Sequence, residues 1–193
     1  TLESGATAYN DSTITKAGIS FEFKTLLPVA KMNTADTNKD GWGASLMRTN
    51  LNSTSAVDGM VNLSDIESVI GSNIIKSVTK SYIKTYNDAN SVTQCNDKLW
   101  LLACSEVANS GYKAGAYAYA ITSEGSQYKY YADSNIVWNS SNTNSVKCNV
   151  GSTSGSWWWL RSPSSYYSYA FCSVSSDGYL NSYSSASNTH GVA

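Results

Sequence analysis

The residues of this chain best suited to recognition chemistry lie between positions 164 and 190. Of these 27 positions, 20 are Ser, Tyr, Asn, Asp, Cys or His. A tyrosine ring offers a large amphipathic contact surface at a small entropic cost, and Ser and Asn offer adaptable hydrogen bonds, as in antibody loops. The five tyrosines of the segment are therefore the predicted anchors of a binding surface: Tyr166, Tyr167, Tyr169, Tyr179 and Tyr183.

The predicted surface takes in most polar side chains of this segment. The candidate ligand-binding residues are Ser164, Ser165, Tyr166, Tyr167, Ser168, Tyr169, Ser173, Ser175, Ser176, Asp177, Tyr179, Asn181, Ser182, Tyr183, Ser184, Ser185, Ser187, Asn188 and His190. A disordered serine-rich linker is the alternative. The spacing of Ala170, Phe171, Val174 and Leu180 is that of inward-facing residues and favours an ordered structure.

The composition of the segment follows a rule of the genetic code. It lacks Lys, Glu, Gln, Met and Trp, although residues 1–163 carry 11 Lys, 5 Glu, 2 Gln, 3 Met and 6 Trp. When the two adenines of the Asn codon AAC are replaced and its last base is kept, the codon can specify Ser, Tyr, Asp, His, Cys, Thr or Ile. It can never specify the five missing residues, so the composition fits replacement directed at adenines.

The whole chain is long enough, at 193 residues, for one domain with a sizeable core. Its net charge is -1 and only 14% of its residues are charged, against about 25% in an average soluble domain. The 13 Lys and Arg residues are scattered, so no nucleic-acid partner is expected. No run approaches about 18 apolar residues, so no membrane insertion is expected, and no signal peptide is visible at the start.

Cysteine, histidine and metal chemistry have little support. Cys95, Cys104, Cys148 and Cys172 form no C-x-x-C pair, and no second histidine or clustered acids complete a zinc site, so no metal or other cofactor is expected. Four cysteines allow three disulfide pairings, which stay open, although Cys172 is expected to form none. The single histidine, His190, lies in the polar segment, which argues against a Ser-His-Asp or Cys-His hydrolase.

The first half of the chain predicts a strand, a turn and two short helices. Apolar residues alternate over 19–23, which is typical of a half-buried strand. A polar turn is predicted over 33–43 and a helix over 42–52. Ser64 and Glu67 form a capping box that predicts the start of a second helix, ending near Gly71.

The middle of the chain predicts strands at 74–82 and 98–103. Short helices are predicted from Ser105 and over 127–133, with long loops over 135–156.

The last part of the chain predicts two strands joined by a turn at Gly178. Alternation places Ala170, Cys172 and Val174 on one face and Phe171 and Ser173 on the other. Early short helices followed by late strands indicate an α+β fold.

The WWWLRSP motif at 157–163 is predicted to be structural. A run of three indoles leading into Leu-Arg is typical of a strand with at least one indole buried on each side. Arg161 is expected to be buried, bound to loop carbonyls or to a carboxylate such as Asp97 or Glu106. A structural role is expected for Arg48 as well.

Three blocks of sequence resemble, in order, a family of bacterial and phage domains. They are NTADTNKDGWGASLMRTNLN at 33–52, NDKLWLLACSEV at 96–107, and WWWLRSP followed by a variable tail and a terminal Gly-Val. That family has a C-type-lectin-like, or formylglycine-generating-enzyme-like, fold. Some of its members look like the variable proteins of diversity-generating retroelements, in which adenine-directed mutagenesis rewrites the residues that contact the ligand.

The resemblance implies a single C-type-lectin-like domain over 1–193, with a small antiparallel sheet and long loops. It implies a ligand-binding display protein, not an enzyme, whose residues 164–190 are diversified. The partner would be a protein or glycan on another cell or particle, met at a cell surface or a phage tail. A homo-oligomer would suit this role, because weak single sites gain much from avidity.

Two alternative functions stay open at this point. One is a carbohydrate-binding module of fixed specificity, in which the tryptophans would carry the binding. The other is a cysteine-dependent oxidase related to formylglycine-generating enzymes, in which Cys95 and Cys104 are the nearest pair in sequence. Neither cysteine has an adjacent Lys, Arg or His to lower its pKa, and a shared fold alone is no evidence of function.

Overall fold

The computed structural model describes residues 20–72, 74–84, 91–108 and 124–193, and at positions 181 and 182 it describes the backbone alone. The helices are α1 (Leu46–Leu51), α2 (Leu63–Ile70), α3 (Cys104–Val107) and α4 (Lys129–Asp133). The strands are β1 (Leu27–Lys31), β2 (Val78–Ile83), β3 (Val92–Asp97), β4 (Lys147–Cys148), β5 (Gly155–Ser156), β6 (Trp158–Pro163), β7 (Ala170–Val174), β8 (Leu180–Ser185) and β9 (Thr189–Val192). Single turns of 3-10 helix lie at Trp42–Ala44 and Thr143–Ser145.

The described chain combines short helices with small sheets, which confirms the predicted α+β class. Five strands form the main sheet in the order β1-β9-β6-β7-β8. Its neighbours are antiparallel except β6 and β9, which run parallel. Two further pairs, β2 with β3 and β4 with β5, form small antiparallel sheets of their own. The main sheet therefore brings the start of the described chain next to its end.

Two apolar clusters pack on the main sheet, and the central strand β6 contributes to both. Trp158 belongs to one cluster and Trp159 to the other. Because successive side chains of a strand point to opposite faces, the clusters lie on opposite sides of the sheet. The indole of Trp158 donates to the Ser145 carbonyl at 3.1 Å and that of Trp159 to the Ala30 carbonyl at 2.8 Å. This arrangement confirms the prediction of an indole buried on each side of a strand.

Arg161 lies at the centre of a buried charged network, as predicted. Its guanidinium donates to Glu106 and, at 2.8 Å, to the carbonyl of Leu101. Lys80 reaches the other oxygen of Glu106 at 2.6 Å. Burial would raise the pKa of Glu106, but the positive charges of Arg161 and Lys80 outweigh it and hold that pKa below its ordinary value. Since a buried charge is tolerated only when it is paired, these three side chains tie β2, α3 and β6 together.

Asp97 has a separate role at the end of β3. It accepts hydrogen bonds from the indole of Trp42 and from the guanidinium of Arg48, both at 2.8 Å. The structural role expected of Arg48 is therefore confirmed, and of the two carboxylates named for Arg161, Glu106 is the partner.

The helices of the first half form close to where they were predicted. Ser45 caps α1 by accepting from the backbone N–H of Arg48 at 3.1 Å. The capping box of α2 lies two residues earlier than predicted and consists of Asn62 and Asp65. Asn62 can serve because its backbone is extended, as an N-cap requires, whereas Ser64 is already helical.

The predicted strand at 19–23 is wrong where the structure describes it. Phe21 and Phe23 are exposed and lie outside every described strand, and Ile19 lies outside the described residues. The first strand begins instead at Leu27, which pairs with Val192 at the other end of the chain. Burial does not alternate along β1, so a pattern of alternating apolar residues could not reveal this strand.

The predicted strand at 98–103 is also wrong. Leu101, Leu102 and Ala103 are buried, but they join no strand. Their backbone groups bond to side chains or to β6: Leu101 accepts from the Arg161 guanidinium, and Leu102 accepts from the Arg161 backbone N–H at 2.8 Å. A short apolar run indicates burial but not strand pairing. Here the contacts with Arg161 satisfy the backbone carbonyls, so no neighbouring strand is needed. Within the described residues, no helix combines the length and the apolar character needed to cross a membrane.

Candidate ligand-binding surface

The polar segment 164–190 forms the hairpin of β7 and β8 together with the loops on either side of it. Ala170 pairs with Ser185 and Cys172 with Tyr183. The loop 164–169 before β7 and the loop 186–188 after β8 therefore meet at one end of the hairpin, where the Ala186 N–H donates to the Tyr169 carbonyl at 2.9 Å. The turn 175–179 lies at the opposite end, about 15 Å away along a five-residue strand.

The apolar residues of the segment all point inward, as their spacing predicted. Ala170, Phe171, Val174, Leu180 and Ala186 are fully buried in the two clusters or beside them. The turn residue Gly178 has φ 77° and packs so closely that an added Cβ would lie 2.2 Å from the Asn142 carbonyl oxygen. Only glycine fits there.

Four of the five predicted anchors form one group, the tyrosine patch: Tyr166, Tyr167, Tyr169 and Tyr183. The ring of Tyr167 lies 4.9 Å from that of Tyr183, 5.2 Å from that of Tyr169 and 6.2 Å from that of Tyr166, between ring centroids. Tyr166 is 59% exposed, and Tyr169 and Tyr183 are each 40% exposed. A hydrogen bond with Tyr167 raises the pKa of the Tyr183 hydroxyl. The patch is thus a contiguous aromatic surface with hydroxyl groups.

The fifth anchor, Tyr179, lies at the other end of the hairpin and is bound to the scaffold. Its hydroxyl donates to Asn139 Oδ1 at 2.6 Å. Asp177 accepts hydrogen bonds from Ser175 and, at 2.8 Å, from Ser141, and these bonds lower the pKa of its carboxyl group. The side chains of Asp177 and Tyr179 in this turn are therefore hydrogen-bonded to the loop around 139–145. The side chains of the tyrosine patch lie at the other end of the hairpin from that loop.

Four predicted contact residues are buried, which corrects their placement on the surface: Ser164, Ser165, Ser173 and Ser175. Ser164 accepts the backbone N–H groups of Tyr166 at 3.2 Å and Tyr167 at 3.3 Å. Ser173 lies between core residues of β7, and its hydroxyl has no hydrogen-bond partner. Small size and local bonding let these serines face inward, which composition alone does not distinguish from outward serines.

The remaining predicted residues lie at intermediate or exposed positions. Ser168, Ser176 and Asn188 are exposed, and Ser184, Ser185 and Ser187 are half-buried. The side chains of Asn181 and Ser182 lie outside the described residues.

His190 belongs to an aromatic stack on β9, apart from the tyrosine patch. Its ring lies 5.6 Å from Trp157 in a stacked arrangement and 4.5 Å from Trp159 in a tilted one. Its Nε2 atom is buried without a hydrogen-bond partner. Burial lowers the pKa of the imidazole to about 4, so the ring is neutral at pH 7.

Three residues of the polar turn 33–43 contact the loops at the tyrosine end, and sequence reasoning missed all of them. Asn38 is buried, and its side-chain amide donates to the carbonyls of Ala170 at 2.7 Å and Tyr167 at 2.9 Å. Asp36 accepts the Ser187 N–H at 3.1 Å, and the Asn33 N–H donates to the Ala186 carbonyl at 2.9 Å. No local signal could reveal these contacts, because about 130 to 150 positions separate the partners.

Cys95 is not an activated thiolate. All four cysteines, each within the described residues, are thiols. Burial, followed by the hydrogen bond to Asp97 and its negative charge, raises the pKa of Cys95 to about 12. The Cys95 thiol is therefore protonated at pH 7, the opposite of what a thiolate-based reaction requires. No group of three or more His, Cys, Asp or Glu residues in the described chain is arranged to hold a metal ion.

The fold and the surface define an α+β domain whose C-terminal hairpin presents exposed tyrosines on a buried apolar frame. By sequence, residues 19–193 match the family described as Domain of unknown function (DUF6273), and the chain belongs to that family. No curated protein and no solved structure matches the chain.

Proposed function

We propose that this protein is a ligand-binding display protein with a C-type-lectin-like fold. Its C-terminal region, 164–190, would be diversified by adenine-directed mutagenesis to recognise varied protein or glycan targets. The observation that carries the proposal is the division of one low-complexity segment into two sets. The apolar residues are buried, while Tyr166, Tyr169 and Tyr183 stand exposed beside Tyr167.

This division is what a diversified binding site needs. A position can change freely only if its side chain contributes little to the core, and surface substitutions usually change stability by no more than about 0.5 kcal/mol. The exposed tyrosines of the patch meet that condition, and tyrosine is one of the residue types that most often supply the binding energy of an interface. The buried serines and the turn at 175–179 are better assigned to support of the surface.

The size of the tyrosine patch suggests how it would bind. At about 200 Å² for each tyrosine, the exposed parts of Tyr166, Tyr169 and Tyr183 amount to roughly 300 Å². A stable protein partner covers about 800 Å² on each side. The ligand would therefore also cover adjoining loop residues such as Ser168 and Asn188, or several copies of the protein would bind together, since avidity compensates for a weak single site. Display at a cell surface or a phage tail fits the second arrangement.

The two alternatives receive less support. A fixed carbohydrate-binding module that depends on tryptophan stacking would need exposed indole faces, but Trp42, Trp158 and Trp159 are fully buried. Trp157 is 38% exposed, and His190 stacks on its ring. A cysteine-dependent oxidase would need a reactive thiolate, and the raised pKa of Cys95 argues against that residue.

The genomic DNA around the gene tests the proposal. We expect a nearby near-copy of the codons for residues 157–193 that differs from them only at adenines, together with a reverse transcriptase gene. The differing codons should be those of exposed residues, such as Tyr166, Tyr169 and Tyr183. If both the near-copy and the reverse transcriptase gene are absent, diversification is refuted.

Binding to a glycan array and a phage-displayed peptide library tests the surface itself. The patch variant Y166S/Y167S/Y169S/Y183S should lose the ligands that the unaltered protein selects. Tyr130, which is 58% exposed on α4 and lies outside the segment, supplies the control Y130S, and that variant should keep them. Glycan binding that survives the patch variant but disappears in W157A would favour the carbohydrate-binding module.

A further inference from the structure

The loop 164–170 is held in place through hydrogen bonds to its backbone, and one distant residue, Asn38, supplies several of them. Asn38 donates its own backbone N–H to the Ser168 carbonyl at 2.8 Å. Its side-chain amide donates to the carbonyls of Ala170 at 2.7 Å and Tyr167 at 2.9 Å, and lies 3.5 Å from that of Ser164. Asn38 is 1% exposed, so these bonds are shielded from water.

None of these bonds depends on the side chains at the tyrosine positions. Every acceptor is a backbone carbonyl, and the same carbonyl is present whichever residue occupies the position. Within the loop, the further bonds also involve the backbone or a buried serine: the Ser164 N–H donates to the Ala170 carbonyl at 2.9 Å, and Ser164 Oγ accepts from Tyr166 and Tyr167. The loop can therefore keep its path while its exposed side chains change.

A carboxamide suits this position better than other groups. Its NH₂ carries two donors, which can serve two carbonyls at once. Aspartate, of nearly the same size, has no donor and would place negative charge against the carbonyl oxygens. Alanine would leave the carbonyls of Ala170 and Tyr167 with one donor each instead of two, which is destabilising.

We propose that Asn38 is a positioning residue for the ligand-binding surface, and that it sets the shape of the loop 164–170 independently of the side chains at 166–169. The term ligand-binding rests on the function proposed above. The positioning itself does not, because it concerns the backbone alone and can be measured without any ligand.

The chain offers a matched control in Asn52. Its side-chain amide donates to the carbonyl of Leu99 at 2.8 Å and to that of Arg48 at 3.2 Å, and its Oδ1 accepts the N–H groups of Lys98 and Leu99 at 3.0 Å. Asn52 thus performs the same chemistry on a loop outside the segment 164–190. Substitutions at Asn52 should lower stability without affecting the tyrosine end selectively.

Amide hydrogen exchange followed by mass spectrometry tests the proposal on the whole chain. In N38A and N38D we expect peptides covering 163–171 to exchange faster by on the order of tenfold, because the loop opens more readily when its carbonyls lose the bonds from the Asn38 side chain. Peptides covering 175–180 should be unchanged. N52A and N52D should leave 163–171 protected. If the Asn38 and Asn52 variants accelerate exchange in 163–171 equally at matched loss of thermal stability, the proposal is overturned.

A second measurement decides the question even if the Asn38 variants do not fold. In Y166S/Y167S/Y169S, with Asn38 intact, the amides of 163–171 should keep their protection within about twofold, because their acceptors are backbone carbonyls and Ser164 Oγ, which these substitutions leave in place. Loss of protection in this variant would mean that the tyrosine rings hold the loop, and would overturn the proposal. Neither result depends on whether the segment is diversified, so failure of the proposed function would leave this inference standing.

Discussion

Two buried glutamates near Arg161 should differ greatly in how much stability they lose when each is replaced by Gln. Glu106 is paired with Arg161 and Lys80 and accepts the Ala103 N–H at 2.9 Å. Replacing it with Gln leaves two buried positive charges without their direct carboxylate partner. Breaking a buried pair in this way costs about 3–5 kcal/mol, so E106Q should lose a large part of the stability of a domain of this size.

Glu124 is equally buried but has a different environment. Arg161 binds the backbone carbonyl of Glu124 at 2.7 Å, and the Glu124 carboxyl group accepts from the Ile83 N–H at 2.9 Å and from the Ser162 hydroxyl. Burial outweighs the nearby positive charge and raises the pKa of Glu124. A neutral Gln keeps an acceptor for Ile83 and removes the need to bury a charge, so E124Q should change stability by about 1 kcal/mol or less.

Urea unfolding at pH 7, followed by tryptophan fluorescence, measures both variants. If E106Q is unfolded in water, adding K80M removes one of the unpaired charges and should recover part of the stability. Loss of 3 kcal/mol or more in E124Q, or of less than about 1 kcal/mol in E106Q, would refute this account of the network.

The dependence of stability on pH separates the two carboxyl groups further. The pKa of Glu106 is lowered by folding, so its contribution is present above the unfolded value of about 4.3 and is lost as the pH falls through the folded pKa. The pKa of Glu124 is raised, so stability falls as the pH rises from about 4.3 through the folded pKa. The fall in stability that Glu124 causes as the pH rises should be missing from E124Q. A profile of E124Q that parallels the unaltered protein above pH 4.3 would contradict the direction given for Glu124.

Three further outcomes follow from the site. S173A should be neutral or stabilising by up to about 1 kcal/mol, because the Ser173 hydroxyl is buried without a partner, whereas S173Y should unfold the domain. A clear loss of stability in S173A, measured by urea unfolding, would show that the hydroxyl makes a hydrogen bond. Y166S should change the free energy of unfolding by less than about 0.5 kcal/mol, and Y179S should lower it by about 1 kcal/mol, because the bond from Tyr179 to Asn139 is lost. Equal losses of stability in thermal scans would contradict the different roles of the two ends of the hairpin. The imidazole of His190 should titrate near 4 in an NMR experiment, with stability decreasing as the pH falls from about 6.5 toward that value; a midpoint near 6.5 would mean that the ring is open to water.

Features that depend on neighbouring residues could be predicted from the sequence. The spacing of Leu46–Leu51 produced the expected helix, and Gly178 marks the turn of the hairpin. The alternation in β7 separated the faces of Phe171 and Cys172, which now lie in different clusters. The prediction that Arg161 would be buried against an acid also followed from neighbouring residues. An arginine within an apolar strand is buried with that strand, and a buried charge needs a paired partner.

Features that depend on a distant partner could not be predicted. The strand β1 gains its hydrogen bonds from β9 at the other end of the described chain, where Leu27 pairs with Val192. The apolar run at 98–103 is buried without a strand, because its carbonyl groups meet Arg161. Burial can be inferred from composition, whereas the group that satisfies a backbone carbonyl cannot.

Within the 27 residues of the polar segment, some features also depend on neighbouring residues and others on distant partners. Its composition and spacing were enough to distinguish apolar positions that face inward from a polar set suited to binding, since side-chain direction in a strand alternates with position. They could not tell the buried Ser164 and Ser173 from exposed serines, nor show that three tyrosines surround Tyr167 while Tyr179 lies at the other end. Those facts depend on the pairing of β7 with β8 and on Asn38, whose amide meets the Ala170 carbonyl 132 positions away. Contacts over such distances are made by the folded chain as a whole, so no local pattern of residues encodes them.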